Sequence, residues 1–237
     1  MKRQLMAKFV VLLVMLAVVI VLSLSFGATD SLTPGAVVNE IVAGNGVVYL
    51  FRLPRALAAV LVGLCFAISG TVLQSLTRNP LASPDLLGVT SGGGLATVIA
   101  ILVAPAAIGP YITWVAFVGA SMVAAVIWFL GRGASAQRFI LTGVALSAFT
   151  HAIITLLLVT YAPSAAEAMI WLKGSLFGRG WVHVKHLLPW ACFAVVGGIV
   201  VAHQANPLVL GPTIATTLGI RLSVLRPCLW LLSVASA

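Results

Sequence analysis

Acidic side chains are nearly missing from this chain of 237 residues: Asp30, Glu40, Asp85 and Glu167 are all it has. Charge of either sign accounts for only 7% of its residues, against about 25% in an ordinary soluble domain. With 62% hydrophobic residues, no water-soluble fold of this size hides the apolar surface, whereas about 20 consecutive apolar residues suffice to cross a bilayer. Lipid is therefore the solvent for most of the chain.

The missing residues also exclude chemistries. No carboxylate lies inside an apolar run, so the Asp or Glu that an ion-coupled carrier places within its spans is not supplied here. His151 is the one ionisable group deep in a span, and it reads as a hydrogen-bonding residue on a helix interface rather than a proton relay. A phosphate-cradling loop needs G-x-x-x-x-G-K-[ST]; Ser91-Gly92-Gly93-Gly94 has no Lys and lies in an apolar run. Cys65, Cys192 and Cys228 sit among apolar residues with no metal-ligand spacing and read as small hydrophobes. Ser69-Gly70 lacks the Gly that precedes an intramembrane peptidase serine. No catalytic group, cofactor or metal is expected.

What is there is a series of apolar spans. The first, Phe9–Phe26, follows Lys2, Arg3 and Lys8; it is longer than a signal-peptide core of about 7–15 residues and reads as a retained span, although Gly27-Ala28-Thr29 could be cut. The others are Ala56–Thr77, Leu86–Ala104, Tyr111–Gly131, Phe139–Tyr161 and Leu187–Ala202, the third and fourth parted by Pro105 and Gly109-Pro110 because proline breaks the helical hydrogen-bond ladder. The last segment, Pro227–Ala237, would reach about 16 Å as a helix against roughly 30 Å of hydrocarbon. Either it lies partly in the membrane or a seventh span is incomplete. The expected fold is an all-α polytopic bundle: six full spans plus a partial seventh, in one transmembrane domain over 1–237.

The net charge of +9 comes from 13 basic residues scattered between the runs, which argues against a nucleic-acid surface and for membrane orientation. With the amino terminus inside, eight cations fall inside (Lys2, Arg3, Lys8, Arg78, Arg132, Arg138, Arg221, Arg226) and five outside (Arg52, Arg55, Lys173, Arg179, Lys185), the bias expected of cytoplasmic loops. The acids read as helix-end residues. Ser83-Pro84-Asp85 has the N-cap, first-position proline and first-turn acid of a helix start. Ser164 and Glu167 have capping-box spacing for a short outer helix ending at Gly174. Thr33-Pro34 starts another, ending near Gly44. After the sixth span a further short helix is expected between Pro212 and Gly219, on the cytoplasmic side, with Ile214 and Leu218 on one face. Gly88 and Gly92 form a G-x-x-x-G pair suited to close helix packing.

Several segments together resemble the permease subunits of the ATP-binding-cassette importers for iron siderophores, haem and cobalamin. They are Arg52-Leu53-Pro54-Arg55 with the small-residue run from Ala56 to Gly63, Ile68-Ser69-Gly70, and Gln74 through Arg78-Asn79-Pro80-Leu81-Ala82-Ser83-Pro84-Asp85 to Gly88. Leu141 to Ala148, Trp171 to Leu176, and Leu210-Gly211 with Ala215 to Gly219 complete the series. Asn79 to Asp85, Gly178-Arg179-Gly180-Trp181 and Ala215 to Gly219 are most similar to the ferric dicitrate permeases. The resemblance implies ten spans in a longer chain, so that the C-terminal part would be missing here. It implies transport of an iron(III) chelate from periplasm to cytoplasm through the inner membrane. The partners implied are a second permease subunit in a homo- or heterodimer, a cytoplasmic ATPase and a periplasmic binding protein. It assigns docking of the binding protein to Arg52 and Arg55, which otherwise read as headgroup anchors, and ATPase coupling to Leu210, Gly211, Pro212, Ile214, Leu218 and Gly219. The family's coupling loop usually has an acid after its Leu-Gly pair and often an Arg two residues on; here Pro212 and Ile214 stand there, which implies weaker coupling. A truncated, non-transporting membrane protein and an ion-coupled secondary transporter are the competing expectations.

Overall fold

The computed structural model describes residues 2–27, 31–104, 108–131, 136–209 and 211–237. Asp30, Pro105, Arg132 and Leu210 lie outside the described residues, as does the expected cleavage point at Ala28-Thr29. The helices are α1 (Lys2–Ser25), α2 (Pro34–Ala43), α3 (Leu53–Thr77), α4 (Val89–Val103), α5 (Ile112–Gly131), α6 (Ala136–Thr160), α7 (Ala162–Lys173), α8 (Trp181–Val209), α9 (Pro212–Thr217) and α10 (Leu222–Ser236). Among the described residues no strand forms beyond a single bridge between Phe26 and Ser31. Five helices among the described residues are long and apolar enough to cross a membrane: α1, α3 with the turn before it, α5, α6 and α8; α4 and α10 are shorter apolar helices.

The chain divides into two compact units, one of residues 1–62 and 176–189, the other of residues 63–175 and 190–237. In the first, the end of α1, α2 and the start of α3 meet around Leu24, Val37, Val48 and Ala56. Helix α2 is bounded as its sequence requires. The Thr33 hydroxyl accepts from the Ala36 N–H. Gly44 at φ 66° closes the last turn, its own N–H and that of Asn45 bonding to Ile41 and Glu40 carbonyls, the arrangement that uses orphan carbonyls at a helix end. Before α3, Val48–Arg52 form a π-helical turn. Pro54, two residues on, has no N–H to complete the helical ladder, and a widened turn is one way a helix absorbs that defect.

The second unit is built around α4, which packs on α5, α6 and α7. Its core contains Val98, Ile101, Ile112, Ile154 and Ala168. A second cluster joins Leu73, Leu87, Ala124, Ile127, Phe139 and Trp230. A third joins Val72, Ala205, Leu208, Leu225 and Leu229 of α3, α8 and α10. Hydropathy alone does not decide burial: Ser69, Ser91, Thr97, Thr150 and Ser233 are buried alongside Leu73, Leu87 and Ile101, while Leu12, Met15, Trp114, Phe129, Leu156 and Val200 are exposed. That pattern fits helices in lipid, where packing and interhelical hydrogen bonds replace the hydrophobic drive between helices.

Several boundaries differ from the sequence expectation. Ser83 does cap a turn, its Oγ accepting from the Leu86 N–H at 3.2 Å. The turn closes at once, because Gly88 takes φ 72° and the Gly88 and Val89 N–H groups bond back to Asp85 and Pro84. Helix α4 therefore starts at Val89. Helix α7 starts two residues before Ser164, with Pro163 in its first turn, a position that suits proline; Ser164 is therefore not its N-cap, and Glu167 is exposed on its surface. Helix α8 runs on through Pro207 to Val209, and α10 begins five residues before Pro227, which it carries internally.

Candidate functional site

Arg52 and Arg55 stand at the start of α3. Arg52 is half-buried, and its Nη1 donates to the carbonyls of Leu24 (2.9 Å) and Ser25 (3.1 Å). These are terminal carbonyls of α1, where a cation is favoured by the helix dipole and satisfies orphan acceptors. Arg55, three residues on, is exposed. Beside them the Trp181 indole N–H donates to the Tyr49 carbonyl at 2.9 Å, with the two rings 5.2 Å apart. Trp181 thus brings the start of α8 against the turn that carries Arg52. There Arg179 Nη1 lies 3.1 Å from His183 Nε2, and Lys185 is exposed. Glu40, read from sequence only as a helix-end acid, accepts from the Val48 N–H at 2.8 Å and so fixes the turn leading to Arg52. At this start of α3, Arg52 is engaged within the chain and Arg55 is exposed.

In the second unit, α9 forms where Pro212 and Gly219 place it. Gly219 at φ 82° ends it: its N–H bonds to the Thr216 carbonyl and the Ile220 N–H to that of Ala215, both at 3.0 Å. This is the two-bond closure that needs a residue tolerating a left-handed backbone. Gly211 at φ 122° precedes the helix. Ala215 is fully buried, while Ile214 (44%) and Leu218 (62%) stay exposed. Leu218 sits one residue beyond the helix, still four from Ile214, and both present apolar surface outward.

Gly88 and Gly92 each mark a close approach, but to different helices. A Cβ on Gly88 would stand 3.0 Å from the Gly143 carbonyl of α6. One on Gly92 would overlap the Gly119 carbonyl and Val123 of α5. Gly88 lies outside α4, so the pair is not one helix face; Gly92 and Gly93 facing Ala116, Gly119 and Ala120 form the small-residue crossing. His151 is exposed on α6, its Nδ1 2.8 Å from the Ser147 carbonyl. Sequence reasoning missed the buried Ser69–Ser233 link, in which Ser69 Oγ donates to the Ser233 carbonyl at 2.8 Å. It also missed the bond from the Trp230 indole to the Ala124 carbonyl. A hydroxyl inside an apolar run was the available signal for the first.

The model of the FecCD transport family matches residues 15–237. The chain belongs to that family. The FecCD relatives include the iron(III)-citrate import system permease protein YfmE of Bacillus subtilis, 35% identical over all of this chain and 72% of the relative. The iron(III) dicitrate transport system permease protein FecD of Escherichia coli is 36% identical over 79% of this chain and 58% of its own length. The chain therefore spans between about half and three quarters of the length of such relatives. A solved inward-facing structure of a transporter assigned to the metal-chelate ABC type superposes with a TM-score of 0.76 and 26% identity. It covers 95% of this chain and 69% of that one. The FecCD match includes every segment on which the resemblance rested.

Proposed function

We propose that this chain is a permease subunit of an ATP-binding-cassette importer that carries an iron(III) chelate of the citrate or siderophore class. The observation that carries the reading is the superposition on an assigned metal-chelate transporter over 95% of the chain. The citrate permeases among the FecCD relatives support the cargo. With neither a P-loop nor a carboxylate inside the helices that cross, a separate ATPase supplies the energy, a second permease subunit completes the path, and a binding protein delivers the chelate.

In this reading α9 meets the ATPase. An apolar pair on a short exposed helix needs an apolar groove on a partner, and Ile214 with Leu218 supplies it. Residues 212–219 carry no cation, unlike a helix made to lie on a membrane surface. The binding protein docks through Arg55 of the first unit, with Arg52 holding the turn that carries it. Such cations steer encounter and fix register. The amino terminus is cytoplasmic by the charge bias.

The test is uptake of radiolabelled iron(III) citrate and of a hydroxamate chelate by cells expressing the chain with an ATPase, a second permease subunit and a binding protein of a FecCD-type importer. ATP-dependent uptake of either that disappears without this chain supports the reading. Uptake that persists unchanged without it overturns the reading.

A further inference from the structure

Resting on the reading of α9 as the helix that meets the ATPase, we propose that Arg78 supplies the ionic part of the same docking surface and pairs with a carboxylate of that ATPase. Arg78 stands where its residue type is disfavoured. Helix α3 ends at Thr77, and the Asn79 N–H reaches back to the Gln74 carbonyl at 3.2 Å. This is a helix closure whose penultimate residue is left-handed, a place taken most often by glycine. Arg78 fills it at φ 52°, where a Cβ crowds the following carbonyl. Seven other described residues take a positive φ, and all seven are glycines, Gly44 and Gly219 at two other helix ends among them. The turn holds Arg78 in place. The Asn79 Oδ1 accepts from the Leu81 N–H at 3.0 Å, and the Asn79 carbonyl from the Ala82 N–H at 3.1 Å. Strain of this kind persists where its surroundings over-determine it, and it clusters at clamps and switch regions.

The side chain lies beside the coupling helix. It is exposed, and its guanidinium has no hydrogen-bonding or carboxylate partner among the described residues. Asp85, the nearest acid along the chain, is engaged with the Thr90 hydroxyl. A Cβ built on Gly211 would stand 4.0 Å from Arg78 Nη1. Gly211, at φ 122° and ψ 155°, leads directly into α9, where Ile214 and Leu218 are exposed. An unpaired cation thus borders an exposed apolar pair. Protein interfaces have that anatomy, an apolar centre with a polar rim, and charges at the rim steer encounter and fix register. From residue 168 to residue 237 there is no acid, so the carboxylate that completes the pair comes from the partner.

A phospholipid headgroup does not account for this geometry. Long basic side chains near helix ends snorkel to headgroups from ordinary helical backbone, so anchoring requires no left-handed residue. Pairing with a protein carboxylate at a fixed place beside α9 does require the direction that the turn imposes.

The experiment measures binding of a purified ATPase of a FecCD-type importer to the full chain in phosphatidylcholine nanodiscs, at low and high salt, beside the thermal midpoint of the chain alone. Arg78→Gly is expected to raise that midpoint by about 2 °C, because glycine relieves the left-handed backbone at some cost in unfolded-chain entropy. The same variant is expected to weaken binding about three- to fivefold, the worth of one exposed ion pair. Arg78→Gln, which keeps the backbone and removes the charge, should weaken binding equally without raising the midpoint. Both variants should flatten the salt dependence. A residue that only shapes the turn would not move stability and binding in opposite directions. Ile214→Asp/Leu218→Asp keeps the two readings apart. If it binds like the wild type, α9 is not the docking helix and both readings fall. If it loses binding while both Arg78 variants keep theirs, the proposal for Arg78 alone is overturned. A lowered midpoint in Arg78→Gly would also overturn it, by showing that the guanidinium is held within the chain. Sensitivity to Arg78 that is absent in phosphatidylcholine and returns with phosphatidylglycerol would assign the cation to headgroups and overturn it too.

Discussion

From Phe9 onward α1 is an uncharged apolar helix, and so is α4 throughout, yet their surfaces meet opposite fates. Helix α1 exposes Leu12, Val14, Met15 and Val18 round its circumference and is held only at its end, by Leu24 and by Arg52 on its last carbonyls. Helix α4 buries Ser91, Gly92, Gly93, Thr97, Val98 and Ile101. Size separates them. Large branched side chains gain nothing by leaving lipid for protein, whereas Gly, Ala, Ser and Thr let backbones approach closely and form interhelical hydrogen bonds. Around α4, Thr150 Oγ1 donates to Ser91 Oγ, which donates to the Gly88 carbonyl, both at 2.8 Å. Small and hydroxyl residues thus set where α4 approaches its neighbours closely, and larger side chains such as Val98 and Ile101 pack beside them.

The sharpest way to break that contrast is to exchange the two kinds of surface. Gly92→Leu drives a side chain into the Gly119 backbone, and overpacking of this sort costs about 1–3 kcal/mol or more. A large fall in the thermal midpoint of the detergent-purified protein is expected, whereas Val14→Leu on α1 should change it within error. Equal effects at the two sites would refute the role of size. Ser69→Ala tests the hydroxyl half of the contrast. It removes the donor to Ser233, with an expected loss of about 0.6 kcal/mol and an upper range near 1.7, read from the same melting curve. An unchanged or higher midpoint would remove hydrogen bonding from the explanation.

Much of this was legible in the sequence, and the residues show where legibility ended. Turn chemistry is local, so Thr33, Gly44, Gly174, Pro212 and Gly219 marked helix ends correctly. The start of α4 was misplaced because Ser83-Pro84-Asp85 is a genuine N-terminal signal; only the left-handed turn at Gly88, set against Gly143, cuts the helix short. The start of α7 was misplaced because the capping-box spacing put it after Ser164, whereas Pro163 already lies in the first turn. Partners across long separations were not legible at all. Nothing local ties Ser69 to Ser233, Trp181 to Tyr49, or Arg52 to Leu24.

Arg52 and Arg55 sharpen the comparison at its smallest scale, since they separate holding α1 from meeting a partner. Arg52→Gln should fray the end of α1, raising hydrogen exchange in its last turn by an amount equivalent to about 0.3–1 kcal/mol. Arg55→Glu should leave that exchange unchanged while lowering the affinity of the delivery protein and its salt dependence. Increased exchange in Arg55→Glu, or unchanged delivery-protein binding, would contradict this division.

Co-purification of a co-expressed ATPase of a FecCD-type importer, with the wild-type chain and with Ile214→Asp/Leu218→Asp, bears most directly on the permease reading. Both side chains are exposed, so the double variant should melt like the wild type. The expected result is an ATPase that accompanies the wild-type chain and is lost from the variant. An ATPase that binds both equally would show that α9 is not its docking helix. An ATPase that binds neither would contradict the reading of this chain as a permease subunit.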